Sequence, residues 1–260
     1  MTKVYTKQKF IKGVSFPTSL SLNEVCGHFS APSDESHDVH EYRVISEGDV
    51  VKVDLGVQID GFAAVVAHTI VVTEKTTPVT GKAADVILAA YNAVQAAVRV
   101  MYPTKNNNYD VTNTIKAVCE SYKVTPVEGV LSHRMKRDII DGVETIINHA
   151  TYDQKVDQRT FEHGDVFGLD VIVSSAEGKP KETNIKTTIY KRALETTYKL
   201  KTESGRKLLS VVEHNFHTFP FSFNAFDNED SLKLKNPIVN NLFNNSLIAK
   251  SQDYHENGTQ

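Results

Sequence analysis

The densest group of chemically useful side chains in this sequence is basic. Lys181, Lys186, Lys191, Arg192, Lys199, Lys201, Arg206 and Lys207 fall within one stretch, against Glu182, Glu195 and Glu203. Tyr190 and Tyr198 are interleaved among them. Cations at this density attract phosphates, and rings between them can stack on bases. The pattern therefore fits an RNA or partner surface built on Lys191, Arg192, Lys199, Lys201, Arg206 and Lys207. A solvated charged face has the same composition and is the competing reading. Other chemistry is sparse. Cys26 and Cys119 are expected to be ordinary buried thiols, and His68 a satisfied strand histidine. No Cys–His–Asn or Ser–His–Asp arrangement can be assembled without assuming proximity.

The bulk properties bound what such residues can do. The chain has 260 residues, 40 % apolar and 23 % charged, enough for a sizeable core. Its formal net charge of −3 is no polyanion-binding signal by itself. Two cysteines so far apart do not form a disulfide framework, which favours a reducing compartment. The lysine-rich beginning lacks the apolar core of a signal peptide, and no apolar run reaches the ~20 residues of a membrane span.

Several elements must position the side chains. Apolar alternation through Val50–Val57 and Phe62–Val72, split by Asp60-Gly61, predicts two long antiparallel strands joined by a tight hairpin. Lys82 to Met101 contains neither Gly nor Pro and predicts a helix stopped at Pro103. A second helix is expected from Asp110, acting as its cap, to about Tyr122. Strands are expected within Val124–Val130, Ile139–Ile147, Asp165–Ser175 and Thr187–Tyr190. Helices are expected over Glu203–Phe216 and within Leu232–Leu247. This order of hairpin, helices, strands and helical insert indicates an α+β protein.

Four collinear segments then carry a resemblance. Phe16-Pro17-Thr18 with Ser21-Leu22-Asn23 and His28, Val53-Asp54-Leu55-Gly56 with Asp60-Gly61, Glu128-Gly129 through His133, and Gly164-Asp165-Val166 to Asp170 resemble successive segments of the type 2 methionine aminopeptidases. The wording is closer still to a non-peptidase branch, the proliferation-associated proteins. Val66-Ala67-His68-Thr69, Leu131-Ser132-His133 and Thr188-Ile189-Tyr190-Lys191-Arg192 are the clearest stretches. The resemblance spans roughly residues 10–249. It implies a methionine aminopeptidase-like pita-bread fold over 1–180, a helical insert over 181–249 and a disordered tail over 250–260. Members of the family begin with helices and end with a strand pair that this chain lacks, so an incomplete fold with an uncovered apolar sheet face is expected.

The resemblance also implies a metal site, and the residues here take it apart. The enzymes hold two divalent cations with Asp, Asp, His, Glu and Glu, because hard cations want bridging carboxylates. Asp54 stands at the first position. The second falls on Val65, which cannot coordinate. His133 stands at the imidazole position, but Ser132 and Lys136 replace the glycines around it. Asp170 stands for the first Glu, one methylene shorter. The last ligand lies on a strand the chain lacks. His28 corresponds to the histidine that contacts substrate, and Asp141 to a second pocket histidine. Asp54, His133 and Asp170 are thus vestigial ligand positions, and His28 and Asp141 belong to a vestigial substrate pocket.

The departures from the ligand set imply a non-catalytic aminopeptidase homologue with no cofactor and no small-molecule substrate. The resemblance to the proliferation-associated branch implies that it acts in growth or translation by binding RNA, ribonucleoprotein or protein partners in cytoplasm and nucleus, away from membranes. A residual metal-dependent methionine aminopeptidase and a non-functional gene fragment are the alternatives.

Overall fold

The computed structural model describes residues 11–31, 44–74, 76, 78–181, 187–194, 200, 202–226, 248–250 and 255–256. It opens on a three-stranded antiparallel sheet of β1 (Lys12–Leu22), β2 (Val50–Ile59) and β3 (Phe62–Val71), in that order. Asp60 and Gly61 join β2 to β3 with φ of 51° and 84°. That is the paired positive φ that a two-residue hairpin turn demands and that Asp-Gly tolerates. The turn is also clamped from outside. Asp138 donates its amide to Gly61 O at 2.8 Å, and Arg137 Nε donates to Asp60 O at 2.8 Å. A side chain on Gly61 would meet Asp138 Oδ1 at 2.2 Å.

Two helices follow. α1 (Lys82–Val100) buries Ala89, Ala93 and Ala97, one residue per turn. α2 (Asn108–Ser121) answers with Val111, Ile115 and Cys119 at the same spacing. Small residues on one seam and medium ones on the other let the two axes lie close, and this seam is the centre of the main core. The cap of α2 corrects the expectation. Asn107, and not Asp110, is the N-cap; its side chain accepts from the amides of Tyr109 and Asp110. Asp110 is the third helical residue and returns a bond to the Asn107 amide at 2.8 Å, completing a capping box.

The strands beyond are shorter than their apolar runs predict: β4 (Thr125–Pro126), β5 (Leu131–Arg134), β6 (Thr145–Ile147), β7 (Phe167–Gly168), β8 (Val173–Ser174), β9 (Pro180–Lys181) and β10 (Ile189–Arg192). Pro126 and the positive φ of Gly129 (78°) and Asp138 (63°) interrupt the runs. β5 lies between β6 and β7, and β4 pairs with β8.

α3 (Glu203–Phe216) stands where the sequence predicts it, capped by Thr202. Leu208 and Val212 of α3 pack on Leu200, Phe221 and Phe226, and Phe216 stacks on Phe221 at 5.1 Å. β11 (Phe221–Ser222) and β12 (Ile248–Lys250) flank β10. β13 (His255–Glu256) pairs with β9 and falls in the segment read as a tail. The helix expected within Leu232–Leu247 lies outside the described residues.

Candidate functional site

The register of the first sheet decides which side chains share a face. Asp54 of β2 lies opposite Ser19 of β1 and Ala67 of β3, and Gly56 lies opposite Val65. Strand side chains alternate, so Asp54, Ser19, Ser21, Val65 and Ala67 project from one face. Val65 is thus the diagonal neighbour of Asp54, on the side where a second carboxylate would have to stand. The opposite face carries Leu55, Val57, Val66 and Ile70, all partly open to solvent. His68 lies on that outer face too and is exposed, so it is neither a ligand nor a buried strand histidine.

Asp54 is held by the sheet itself. Ser19 Oγ, fully buried, donates to Asp54 Oδ2 at 2.8 Å. Sequence reasoning missed this partner; the alternating serines at 19 and 21 on a strand were the available signal. His133, on β5, is oriented by a bond of 2.9 Å between its Nδ1 and Gly142 O. A side chain on Gly142 would meet Arg134 O at 2.3 Å, so glycine is what allows that carbonyl to approach. Ser132 is more than a lost glycine. Its Oγ accepts the Asp170 amide at 2.8 Å and lies 3.2 Å from Asp170 O, stitching β5 to the segment after β7.

Asp170 brings the separate pieces together. Part of the residue reaches solvent, but its carboxyl group is desolvated by the surrounding protein. That burial pushes its pKa above the usual carboxylate range. Neighbouring His28 and His133 pull the other way, while Asp54 adds to the rise. His28, Asp54 and His133, on three other segments of the chain, therefore all act on the Asp170 carboxyl group. His28 has a positive φ of 61° and sets its ring against Phe16 at 4.9 Å.

The four groups do not fit a two-metal centre. The position expected to hold the second carboxylate carries the isopropyl group of Val65, which packs toward Gly168 and cannot coordinate. Among the described residues, no three of His, Cys, Asp and Glu converge so as to hold one ion. Lys136, beside the histidine segment, reaches Glu144 at 3.7 Å with half its side chain in solvent.

The other expected site residues are placed differently. Asp141 forms an ion pair with Lys191 at the surface, which ties β10 to the β5–β6 loop. Neither side chain is committed to the task its position implied, a pocket wall for Asp141 and a free cation for Lys191. Arg192 pairs with Glu213 at 2.6 Å and Lys207 with Glu203 at 2.9 Å, and Arg206 Nη1 donates to Leu200 O at 2.7 Å. Lys199 and Lys201 lie outside the described residues. So Lys191, Arg192 and Lys207 are answered by carboxylates, of which only Glu203 belongs to the stretch itself. Cys26 and Cys119 are both buried, as expected, and burial pushes the Cys119 thiol up to about 11.

A larger ion network went unseen in the sequence. Arg134 of β5 meets Glu144 at 2.8 Å and Asp165 at 2.7 Å. Arg159 meets the same Asp165 at 2.7 Å and Glu144 at 3.5 Å. It fastens together β5, the approach to β6 and the approach to β7, the wall that carries His133 and Asp170.

Comparison with known proteins agrees with this geometry. Residues 1–198 match the family model of metallopeptidase family M24. The chain is 44 % identical over 83 % of its length to the protein named ERBB-3 binding protein 1 from Solanum tuberosum. It is 40 % identical over 88 % of its length to proliferation-associated protein A from Dictyostelium discoideum. It is 42 % identical over 89 % of its length to the curved DNA-binding protein of Schizosaccharomyces pombe. It spans 54 %, 58 % and 60 % of those proteins respectively. A thermophilic Arx1 structure superposes with a TM-score of 0.86 at 27 % identity, covering 98 % of this chain and 72 % of that one. A methionine aminopeptidase from Rickettsia prowazekii shares the fold at a TM-score of 0.52 and 17 % identity, over 65 % of this chain and 60 % of that one. Among the described residues no helix is long and apolar enough to cross a membrane.

Proposed function

We propose that this chain, which belongs to metallopeptidase family M24 and stands with its proliferation-associated branch, is a binding protein on an aminopeptidase fold and not a peptidase. The observation that carries this reading is Val65. It occupies the diagonal position beside Asp54 where the resemblance puts the second carboxylate ligand, and its isopropyl group removes one donor and one charge from the site. Asp54 is bonded to Ser19, and Asp170 is desolvated beside it, so the pocket keeps carboxylates without the full set of donors. The loss is within the ligand set itself, and even changes around a ligand set cost ten- to a hundredfold in metal affinity, roughly.

Binding is the second half of the proposal. Relatives carry names that state binding, to ERBB-3 in one case and to curved DNA in another. The role we infer is that of a growth- or translation-related regulator in cytoplasm and nucleus, engaging protein or ribonucleoprotein partners. Pairing of Lys191, Arg192 and Lys207 with carboxylates favours protein contact as the main mode. Two assays test the reading. Cleavage of a Met-initiated peptide with cobalt or manganese added is expected to stay at background, and measurable turnover overturns the pseudoenzyme half. Affinity capture from lysate, with and without RNase, is expected to retain partners after digestion. Loss of all partners on RNase treatment overturns protein contact as the main mode.

A further inference from the structure

The loop between β5 and β6 joins three parts of the fold. Its first half is a tight turn, in which the amides of Lys136 and Ile139 donate to each other's carbonyls at 2.9 and 3.0 Å. The tip of that turn carries the clamp of Arg137 and Asp138 on Asp60 and Gly61. The far end is fixed at Glu144, whose carbonyl accepts the Arg134 amide at 2.9 Å and whose carboxylate meets Arg134 at 2.8 Å. Between these fixed points stand Asp141 and Gly142, and Gly142 O lies 2.9 Å from His133 Nδ1. A carbonyl only accepts, so Nδ1 carries a proton, and in the neutral ring Nε2 keeps its lone pair. The loop thus sets both the orientation and the tautomer of His133.

A separate unit grips the same loop from outside. β10 pairs with β11, and α3 packs on both through a small core around Phe221. Lys191 Nζ of β10 binds both carboxylate oxygens of Asp141, and Thr218 Oγ1, just past α3, donates to Asp138 O. Apolar packing adds little to this grip, since Val143 is 95 % exposed and Lys136, Arg137, Asp138 and Asp141 are exposed as well. The Gly142 amide reaches Arg134 O at 3.2 Å, the long end of hydrogen-bond range. Adjacent Cα atoms are locked about 3.8 Å apart, so Gly142 follows Asp141 when that residue moves. N–H···O bonds span only about 2.7–3.2 Å, so a shift of about 1 Å takes Gly142 O away from His133 Nδ1.

We infer that the Lys191–Asp141 pair is a latch through which β10 and α3 hold His133 in its ring orientation and tautomer. Lys191 is a positioning residue, acting on His133 through Asp141 and Gly142. A partner that draws the Lys191 ammonium to an anionic group of its own opens the latch. Binding at β10 and the state of the candidate site are then coupled, and by linkage the coupling runs both ways. An exposed ion pair is weak, which suits a contact that a partner has to replace.

Nitrogen NMR of the full chain, isotope-labelled on its histidine rings, reads the latch directly. Spectra are taken at about pH 8, above the ordinary imidazole range, and the His133 signals are assigned by their loss in His133→Gln. In the native chain Nδ1 is expected at the protonated, pyrrole-like position. Lys191→Met should move it toward the unprotonated, pyridine-like position as the Nε2–H form gains population. Asp141→Asn, which keeps the shape of the loop and removes the charge, should move it the same way. The double variant should add nothing to either single one, because both remove one contact. Lys191→Arg should keep most of the native signal. Arg192→Met removes the neighbouring cation and its bond to Glu213 and should leave His133 unmoved. Unchanged far-ultraviolet circular dichroism confirms that each variant folds. A native His133 protonated at Nε2, or an Nδ1 signal that neither Lys191→Met nor Asp141→Asn moves, overturns the proposal. An equal response to Arg192→Met also overturns it, because the unit as a whole and not the latch would then hold the ring.

Discussion

Asp165 is the point at which removal of one charge should cost most. Its side chain is 5 % exposed, and it accepts from Arg159 through both guanidinium nitrogens, at 2.7 and 3.2 Å. Arg134 shares Oδ1 with Arg159, at 2.7 Å, and the Glu162 amide donates to Oδ2 at 2.9 Å. Asp165→Asn keeps the shape and can still accept that amide, but leaves two guanidinium groups short of one charge. Removing one partner of a fully buried pair costs about 3–5 kcal/mol. Here both arginine side chains are 21 % exposed, and Glu144 remains within reach of each. Discounting for that leaves about 2 kcal/mol, or roughly 4–8 °C in melting temperature for a chain of this size. The pH dependence supplies the sign. The hydrogen bonds from Arg159, then the Glu162 amide and the charge of Arg134, hold the Asp165 carboxyl below the ordinary carboxylate range. A depressed folded value gives stability that is complete above the unfolded pKa, near 4, and is lost as pH falls through the lower folded one. The gap between the native chain and Asp165→Asn should therefore be flat from about pH 8 to about pH 5 and close below about pH 4. Urea unfolding followed by circular dichroism across that range measures it. A gap under about 0.5 kcal/mol at neutral pH, or one that does not narrow in acid, refutes the reasoning.

Three further outcomes follow from single contacts. Gly142→Ala would put a methyl carbon 2.3 Å from Arg134 O, so the loop must move and release His133 Nδ1. A loss of about 2 kcal/mol in urea unfolding, with a shifted His133 imidazole resonance, is expected. Asn107→Ala removes the acceptor of the α2 cap and should cost about 1 kcal/mol, while Asn107→Ser should recover most of it. Ala93→Leu forces a large side chain into the seam between α1 and α2, where Ala93 has no exposure, and should lower stability by about 1–3 kcal/mol in thermal melts.

What could be read in the sequence was whatever depends on period and on turn chemistry. The Asp60-Gly61 hairpin, α1 and α3 are set by neighbours within a few residues, and they stand where the pattern put them. The α2 cap was misassigned by three residues because Asp110 and Asn107 are both cap-forming types, and only the reciprocal bonds show which one caps. The strands after Val124 were overestimated for a different reason. An apolar run reports burial, not pairing, and Pro126 and Gly129 break pairing without changing burial. For the site, Val65 was legible because strand alternation is strict. Ser19 on Asp54, Ser132 on Asp170 and Lys191 on Asp141 were not, since they join residues 35, 38 and 50 positions apart and no local rule reaches that far.

The same contacts bear on the proposed loss of metal chemistry in the pocket. An abandoned metal site could have been replaced by apolar packing throughout, and here it was not. Asp54 is satisfied by Ser19, His133 by Gly142 O, and the backbone of Asp170 by Ser132. Each remaining group thus has a neutral hydrogen-bond partner that stands without a cation. Burial is the largest cause of the raised Asp170 pKa, and the neighbouring charge of Asp54 adds to the rise. Val65 contributes by leaving out a third carboxylate that would have made the repulsion worse. Restoring it alone therefore restores no enzyme. Val65→Asp adds a negative charge beside Asp54 and Asp170 while the set of donors stays short. The variant is expected to be less stable than the native chain near pH 7, to recover stability on mild acidification as carboxyl groups take up protons, and to gain no turnover with manganese. A stabilised variant that cleaves a Met-initiated peptide would mean that Val65 alone keeps this fold inactive.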